Sequence, residues 1–245
     1  MHPYKGKLIV IDGLDGIGKG VVEQAIAELL SNKGKIFDLI PYWKKNNKNP
    51  PPSMLKESDI LLSAEPTYMG WGKEIREKLT IKGSTSTPLE TAQAYSNDRL
   101  ILYNKIILPA LKEGKTIIQS RSVSTSLVYQ RVQSNGSITL NSLMTDFEGN
   151  KFALKNTPNL LIIPTILNVE EVIKRLQGRK NTKDDNCKFE NLDFQLKIKP
   201  YYESQELREI FESRGTKVEY LDAGISLQAT KEQAVRLYLD FLKNN

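Results

Sequence analysis

Cysteine and histidine are almost missing from this 245-residue chain, which has one of each, Cys187 and His2. A lone cysteine excludes an internal disulfide and a metal site built from cysteines alone. A lone histidine at the second position leaves no material for a Ser-His-Asp arrangement, a His-rich zinc site or imidazole acid–base chemistry. No apolar run reaches the roughly 20 residues that a membrane-spanning helix needs. Residues 1–6 (MHPYKG) lead into an apolar segment without the hydrophobic stretch of a secretory signal. A cytoplasmic protein without a membrane partner is the expectation. No Lys/Arg stripe alternates with aromatics, so the net charge of +6 requires no nucleic-acid partner. Catalysis, if any, must rest on carboxylates, lysine, arginine and backbone dipoles.

The rest of the composition is ordinary globular usage, with 39% hydrophobic and 26% charged residues. That length suits one large α/β domain over residues 1–245. Apolar segments Lys7–Asp12, Lys35–Ile40, Ile60–Ala64, Thr116–Ser120, Leu160–Ile163 and Lys217–Leu221 read as strands. Helical patterns at Val21–Asn32, Trp71–Leu79, Pro88–Glu113, Thr125–Ser134, Val169–Gln177, Leu192–Arg214 and Leu227–Leu242 alternate with them. Pro109 is expected to kink or break the third of these helices, and Pro200 the sixth. Residues 41–59, with Pro50–Pro52 in a row, asparagines and lysines, read as a surface insertion unable to pack a core. Alternating β and α segments predict a parallel sheet covered by helices on both faces.

Gly13-Leu-Asp15-Gly16-Ile17-Gly18-Lys19 follows the first strand and opens a helix. Glycines let a backbone wrap phosphate oxygens closely, and amides at the helix start point at them. Lys19 is placed to reach the β- and γ-phosphates. The residue after such a lysine is ordinarily Ser or Thr, whose hydroxyl holds the nucleotide's magnesium. Here it is Gly20.

From this loop onward the chain resembles thymidylate kinases. Asp12-Gly13-Leu-Asp15-Gly16-Ile17-Gly18-Lys19 is similar to that family's E-G-x-D-G-x-G-K-[ST], Glu65-Pro66-Thr67 with Gly72-x-x-Ile75-Arg76 to its R-E-P segment and following helix, and Tyr95-Ser-Asn-Asp98-Arg99 to F-A-A-D-R. Ser120-Arg121-Ser122-Val-Ser-Thr125-Ser126-Leu-Val-Tyr129-Gln130 is similar to D-R-Y-x-x-S-S-x-A-Y-Q. The stretch 178–190, with Arg175, Arg179 and Lys180 around its start, resembles the mobile lid. The resemblance implies a P-loop kinase fold with a parallel five-stranded sheet, ATP and magnesium as cofactors, a deoxynucleoside monophosphate as acceptor, and a homodimer. It implies that Lys19, Arg121 and Arg179 stabilise the migrating phosphoryl group. It implies that Gly13, Asp15, Gly16, Ile17, Gly18, Gly20, Val21 and Arg175 surround the donor. For the acceptor it implies Arg121 on the phosphate, Tyr95 stacked on the base and Arg99 at the base edge. Asp15 and Tyr129 then lie near the sugar, with Glu65, Pro66 and Ser126 lining the site.

Three polar positions depart from the pattern: Gly20, Ala64 for the arginine of R-E-P, and Ser120 for the aspartate of D-R-Y. Two of them fall on the metal, and no metal ligand is assigned from the sequence. Two alternatives to thymidylate phosphorylation stay open: a kinase for another nucleoside monophosphate, and a nucleotide-binding protein with little or no turnover.

Overall fold

The computed structural model describes residues 4–178 and 186–243. His2, Arg179 and Lys180, together with residues 181–185 of the lid segment, lie outside the described residues. All strand pairings are parallel, and they form one sheet of six strands rather than the expected five. These are β1 (Lys7–Ile11), β2 (Ile36–Asp38), β3 (Ile60–Ala64), β4 (Thr116–Ser120), β5 (Leu160–Thr165) and β6 (Lys217–Asp222), in the order β2-β3-β4-β1-β5-β6. The sixth strand has a simple origin: even the three-residue β2 pairs with β3, from Ile36↔Ile60 to Asp38↔Leu62, and closes one edge.

β1 is central because nothing in KLIVI conflicts with burial on both faces. Leu8, Ile9, Val10 and Ile11 have no exposed surface. Its register with β4, ending at Ile11↔Ser120, sets the turns after both strands side by side. Ligands of parallel sheets bind beyond such carboxyl ends.

The helices are α1 (Lys19–Ser31), α2 (Leu39–Asn46), α3 (Pro52–Lys56), α4 (Gly70–Glu74), α5 (Pro88–Leu102), α6 (Leu108–Lys112), α7 (Val123–Gln133), α8 (Leu140–Thr145), α9 (Glu148–Lys155), α10 (Val169–Gly178), α11 (Leu192–Tyr202), α12 (Gln205–Glu212) and α13 (Leu227–Lys243). They flank the sheet, α1 and α13 packing on one another and against it. Thr87 and Glu90 cap α5 reciprocally, with Pro88 in its first turn. Pro109 does not break the helix. A wide turn of π type at Tyr103–Ile107 joins α5 to α6 and takes up the proline's missing donor and ring bulk. Pro200 is also tolerated inside α11, and the break comes after Tyr202, where Ser204 caps α12.

Residues 41–59 carry the end of α2 and all of α3, and the expectation that they cannot pack a core fails at Trp43. Its ring is wholly buried and its indole Nε1 donates to Asn49 Oδ1 at 3.1 Å. One large aromatic anchors what composition alone marks as loop. α8 and α9 have no counterpart in the sequence-based expectations. α9 lies so close to α5 that a Cβ at Gly149 would fall 1.8 Å from the Ser96 carbonyl oxygen.

Candidate functional site

The phosphate loop sits between β1 and α1. Gly16 and Gly18 hold φ of 77° and 105°, conformations that glycine adopts without steric cost. Gly18 is the residue before α1 and offers no side-chain cap, so the first amides of the helix are left for an anion. Ile17 is buried and pins the loop to the core. The Lys19 ammonium donates to the carbonyls of Gly13 at 3.2 Å and Leu14 at 2.7 Å. Burial, then the Arg121 guanidinium, pulls the lysine down to about 8.

Arg121 follows β4 directly, with its backbone in the left-handed region at φ 64°. A non-glycine residue held there is strained by roughly 1–3 kcal/mol, and such strain gathers at functional sites. Its amide donates to Ile11 O at 2.9 Å, which ties the turn to the end of β1. Its guanidinium donates to Gly13 O at 3.2 Å and Thr125 Oγ1 at 3.3 Å, and forms an ion pair with Asp15. Lys19 and Arg121 thus converge on one carbonyl.

Two carboxylates organise this convergence. Asp12 is fully buried and accepts from the Gly13 amide at 2.8 Å, Thr125 Oγ1 at 2.8 Å and the Tyr202 hydroxyl at 2.9 Å. It ties the loop to α7 and α11. Asp15 accepts from the Tyr129 hydroxyl at 3.0 Å and Gln195 Nε2 at 3.1 Å. Burial works to raise the Asp15 carboxyl, but Arg121, Lys19 and these hydrogen bonds outweigh it and leave it below its usual value.

A cleft of about 130 Å³ opens on this cluster, lined by Asp15, Pro66, Arg76, Tyr95, Arg121 and Tyr129 among others. Cys187 and Phe189 close one side, carried there by the bridge Ile81↔Cys187. Burial pushes the Cys187 thiol up to about 12, so it stays protonated and unreactive at neutral pH. A second cleft of about 330 Å³ lies against the loop, lined by Gly16, Ile17, Gly18, Val21 and Arg175 together with Ala223 and Ile225. Arg175 Nη1 donates to Ala223 O at 3.0 Å and fixes that wall. Gly20 is exposed at the start of α1.

Three residues assigned to the acceptor from the resemblance stand behind the first cleft. Arg99 is 1% exposed and donates to Glu65 Oε2 at 2.8 Å, to Ser126 Oγ at 3.0 Å and to Asn150 Oδ1. Glu65 is pushed up to about 7, burial outweighing the pull of Arg99. Asp98 accepts from the Thr67 amide at 2.7 Å and hydroxyl at 2.6 Å, holding the Glu65-Pro66-Thr67 turn.

Sequence reasoning left several participants without a role. Arg76 lines the first cleft, its guanidinium 3.8 Å from the Tyr68 ring centroid and bonded to the Pro66 and Thr67 carbonyls. Its place in Gly72-x-x-Ile75-Arg76 was the available signal. Gln195 and Tyr202, 180 and 190 positions from their carboxylate partners, carried none.

The family profile described as thymidylate kinase matches residues 53–233. Similar proteins include the probable thymidylate kinase of Pyrococcus abyssi (strain GE5 / Orsay), 29% identical over 237 residues that cover 95% of this chain and 96% of the relative. The probable thymidylate kinase of Pyrococcus horikoshii is 32% identical over 179 residues, 71% of this chain and 72% of its own. The thymidylate kinase of Caldanaerobacter subterraneus subsp. tengcongensis is 26% identical over 81% of this chain and 80% of its own. With the profile spanning well over half of its residues and a relative aligned along nearly its whole length, the chain belongs to the thymidylate kinase family.

Proposed function

We propose that this protein transfers the γ-phosphoryl group of ATP to dTMP, giving dTDP and ADP. The observation that carries the proposal is the convergence of Lys19 and Arg121 on the Gly13 carbonyl, each at 3.2 Å. Carboxylates balance the two cations here, and phosphate groups are anions that the same converging cations can hold in their place.

In this reading the two clefts take the two nucleotides and meet at the loop. The amides of Gly16–Gly18 and Lys19 hold the donor phosphates, and the cleft beside Val21 and Arg175 takes the rest of the donor. Arg121 binds the acceptor phosphate, Tyr95 packs on the thymine, and Asp15 with Tyr129 bounds the sugar. Charge in phosphoryl transfer spreads over the migrating oxygens, so aligned cations in a partly dry cleft lower the barrier without a nucleophilic side chain. Arg179 is assigned to the same charge from the lid. Among the described residues no three acidic, His or Cys side chains gather to cage a metal, so magnesium would be held chiefly by nucleotide phosphates and water, beside a Glu23 carboxylate oxygen that has no hydrogen-bond partner. When bound, the ion neutralises phosphate charge. The working form is taken to be a cytoplasmic homodimer.

A coupled assay of ADP release, with ATP, magnesium and a panel of deoxynucleoside monophosphates, tests the proposal. Turnover preferring dTMP is expected. Turnover only with another acceptor would reassign the substrate, and tight ATP binding without turnover on any acceptor would make the protein a nucleotide sensor or partner subunit.

A further inference from the structure

Glu23 lies one helical turn beyond Lys19 on α1. Helical side chains lean toward the N-terminus and cover the preceding turn, so its carboxylate lies over the turn that begins at Lys19 and Gly20. Glycine leaves that surface open, since a Cβ at position 20 meets no atom within 4 Å. The Glu23 carboxyl, which burial raises, faces the Ser120 side chain at the end of β4 beside the loop, and that hydroxyl works against the rise. Glu23 Oε1 is closed off from solvent and has no hydrogen-bond partner. An oxygen of this kind is costly to bury and is ordinarily satisfied by a ligand, an ion or water. Lys19 does not satisfy it, because its ammonium turns to the Gly13 and Leu14 carbonyls.

The two positions that carry metal-holding oxygens in the family pattern are Gly20 and Ser120 here. Glu23 lies beside Ser120 and one turn after Gly20. Magnesium keeps several waters and takes one or two protein carboxylates beside the substrate phosphates, so a carboxylate at this distance from the loop can hold it through water. We propose that Glu23 is the protein carboxylate for the nucleotide's divalent cation, with Ser120 orienting it and the missing side chain of Gly20 leaving room. The assignment rests on the phosphate-loop reading above. It makes Glu23 a metal-positioning residue, in place of the bland alternative of a helix-surface partner for Lys19.

The test is the ratio of ATP affinities with magnesium and with EDTA, measured by equilibrium titration on the whole protein. Enhancement of water-proton relaxation by Mn²⁺–ATP gives a second readout. The wild type is expected to bind the metal complex more tightly. Glu23→Gln keeps the shape and is expected to lower that ratio about 10- to 100-fold, the range of a hydrogen bond to a charged group. Metal-free ATP affinity should hold or rise, because the lost carboxylate repels the polyphosphate, whereas a role in shaping the loop would make it fall. Ser120→Ala, a milder change should Glu23→Gln fail to fold, is expected to move the ratio the same way by a smaller factor. Gly20→Ser in the Glu23→Gln background should restore part of it. A wild-type ratio and wild-type Mn²⁺ relaxation in Glu23→Gln, or in Ser120→Ala if that alone folds, would overturn the assignment. If wild type binds ATP equally with and without metal, Glu23 loses its role while the phosphate loop stands. If wild type binds ATP in neither condition, both readings fall.

Discussion

Arg99 donates its Nε to Glu65 Oε2 at 2.8 Å, with the two side chains only 1% and 3% exposed. Breaking such a pair from one side strands a charge in low dielectric, whereas removing both partners does not. Arg99→Met is therefore expected to lower unfolding free energy by about 3–5 kcal/mol, and Arg99→Met with Glu65→Leu by clearly less. Urea denaturation measures both. Any loss of turnover should be shared across acceptor bases. A stable Arg99→Met variant with altered base preference would return Arg99 to the base edge.

Arg99 is a residue whose environment its local sequence does not encode. The motif Tyr95–Arg99 places the residue on the correct helix, and Tyr95, one turn earlier, does line the cleft. The inward turn of the guanidinium depends on Asn150, on the short helix α9, and on close packing made possible by Gly149. Such capture is tertiary, and no local pattern encodes it. The loop at Gly13–Gly20, by contrast, is local chemistry, with glycines supplying the turn and β1 and α1 flanking it, and it was legible from spacing alone. All six strand segments, the short edge strand within Lys35–Ile40 included, were readable from the chain, and the expectation of five came only from the family resemblance. Trp43 misled in the opposite direction, since composition averages over a segment and burial acts on single residues.

Gly20→Ser is expected to raise turnover or lower the magnesium concentration needed for it. The position is exposed, has ordinary helical conformation, and offers open space to a new side chain. A hydroxyl contact to a charged partner is worth about 1.5–3 kcal/mol. Magnesium titrations of wild type and variant at fixed ATP decide it, and identical curves would remove the hydroxyl account of this departure.

Lys19 should make ATP binding pH-dependent. With its folded value lowered from 10.5 to about 8 by burial and Arg121, the lysine is charged at neutral pH and loses its proton as pH rises through about 8. Phosphates favour the charged form, so binding above that value must recruit a proton. ATP affinity is expected to fall with rising pH beyond about 8, with proton uptake seen by calorimetry in buffers of different ionisation enthalpy. Flat affinity through that range would show that the lysine does not meet the phosphates.

Arg121→Lys separates charge from shape. The guanidinium reaches the Gly13 carbonyl at 3.2 Å, Thr125 at 3.3 Å and the Asp15 carboxylate together, an arrangement that a single ammonium cannot reproduce. Asp15 pairs with the fork, and in the proposed function the acceptor phosphate takes over one edge of it. The lysine variant keeps the positive charge and loses the second edge, so kcat/KM for dTMP is expected to fall about 100- to 1,000-fold, the cost of losing one preorganised donor to developing charge. ATP affinity should change little, because the donor phosphates are assigned to the loop amides and Lys19. Steady-state kinetics with each substrate varied in turn measures the split. An equal loss toward ATP and dTMP would move Arg121 from the acceptor to the donor side of the loop.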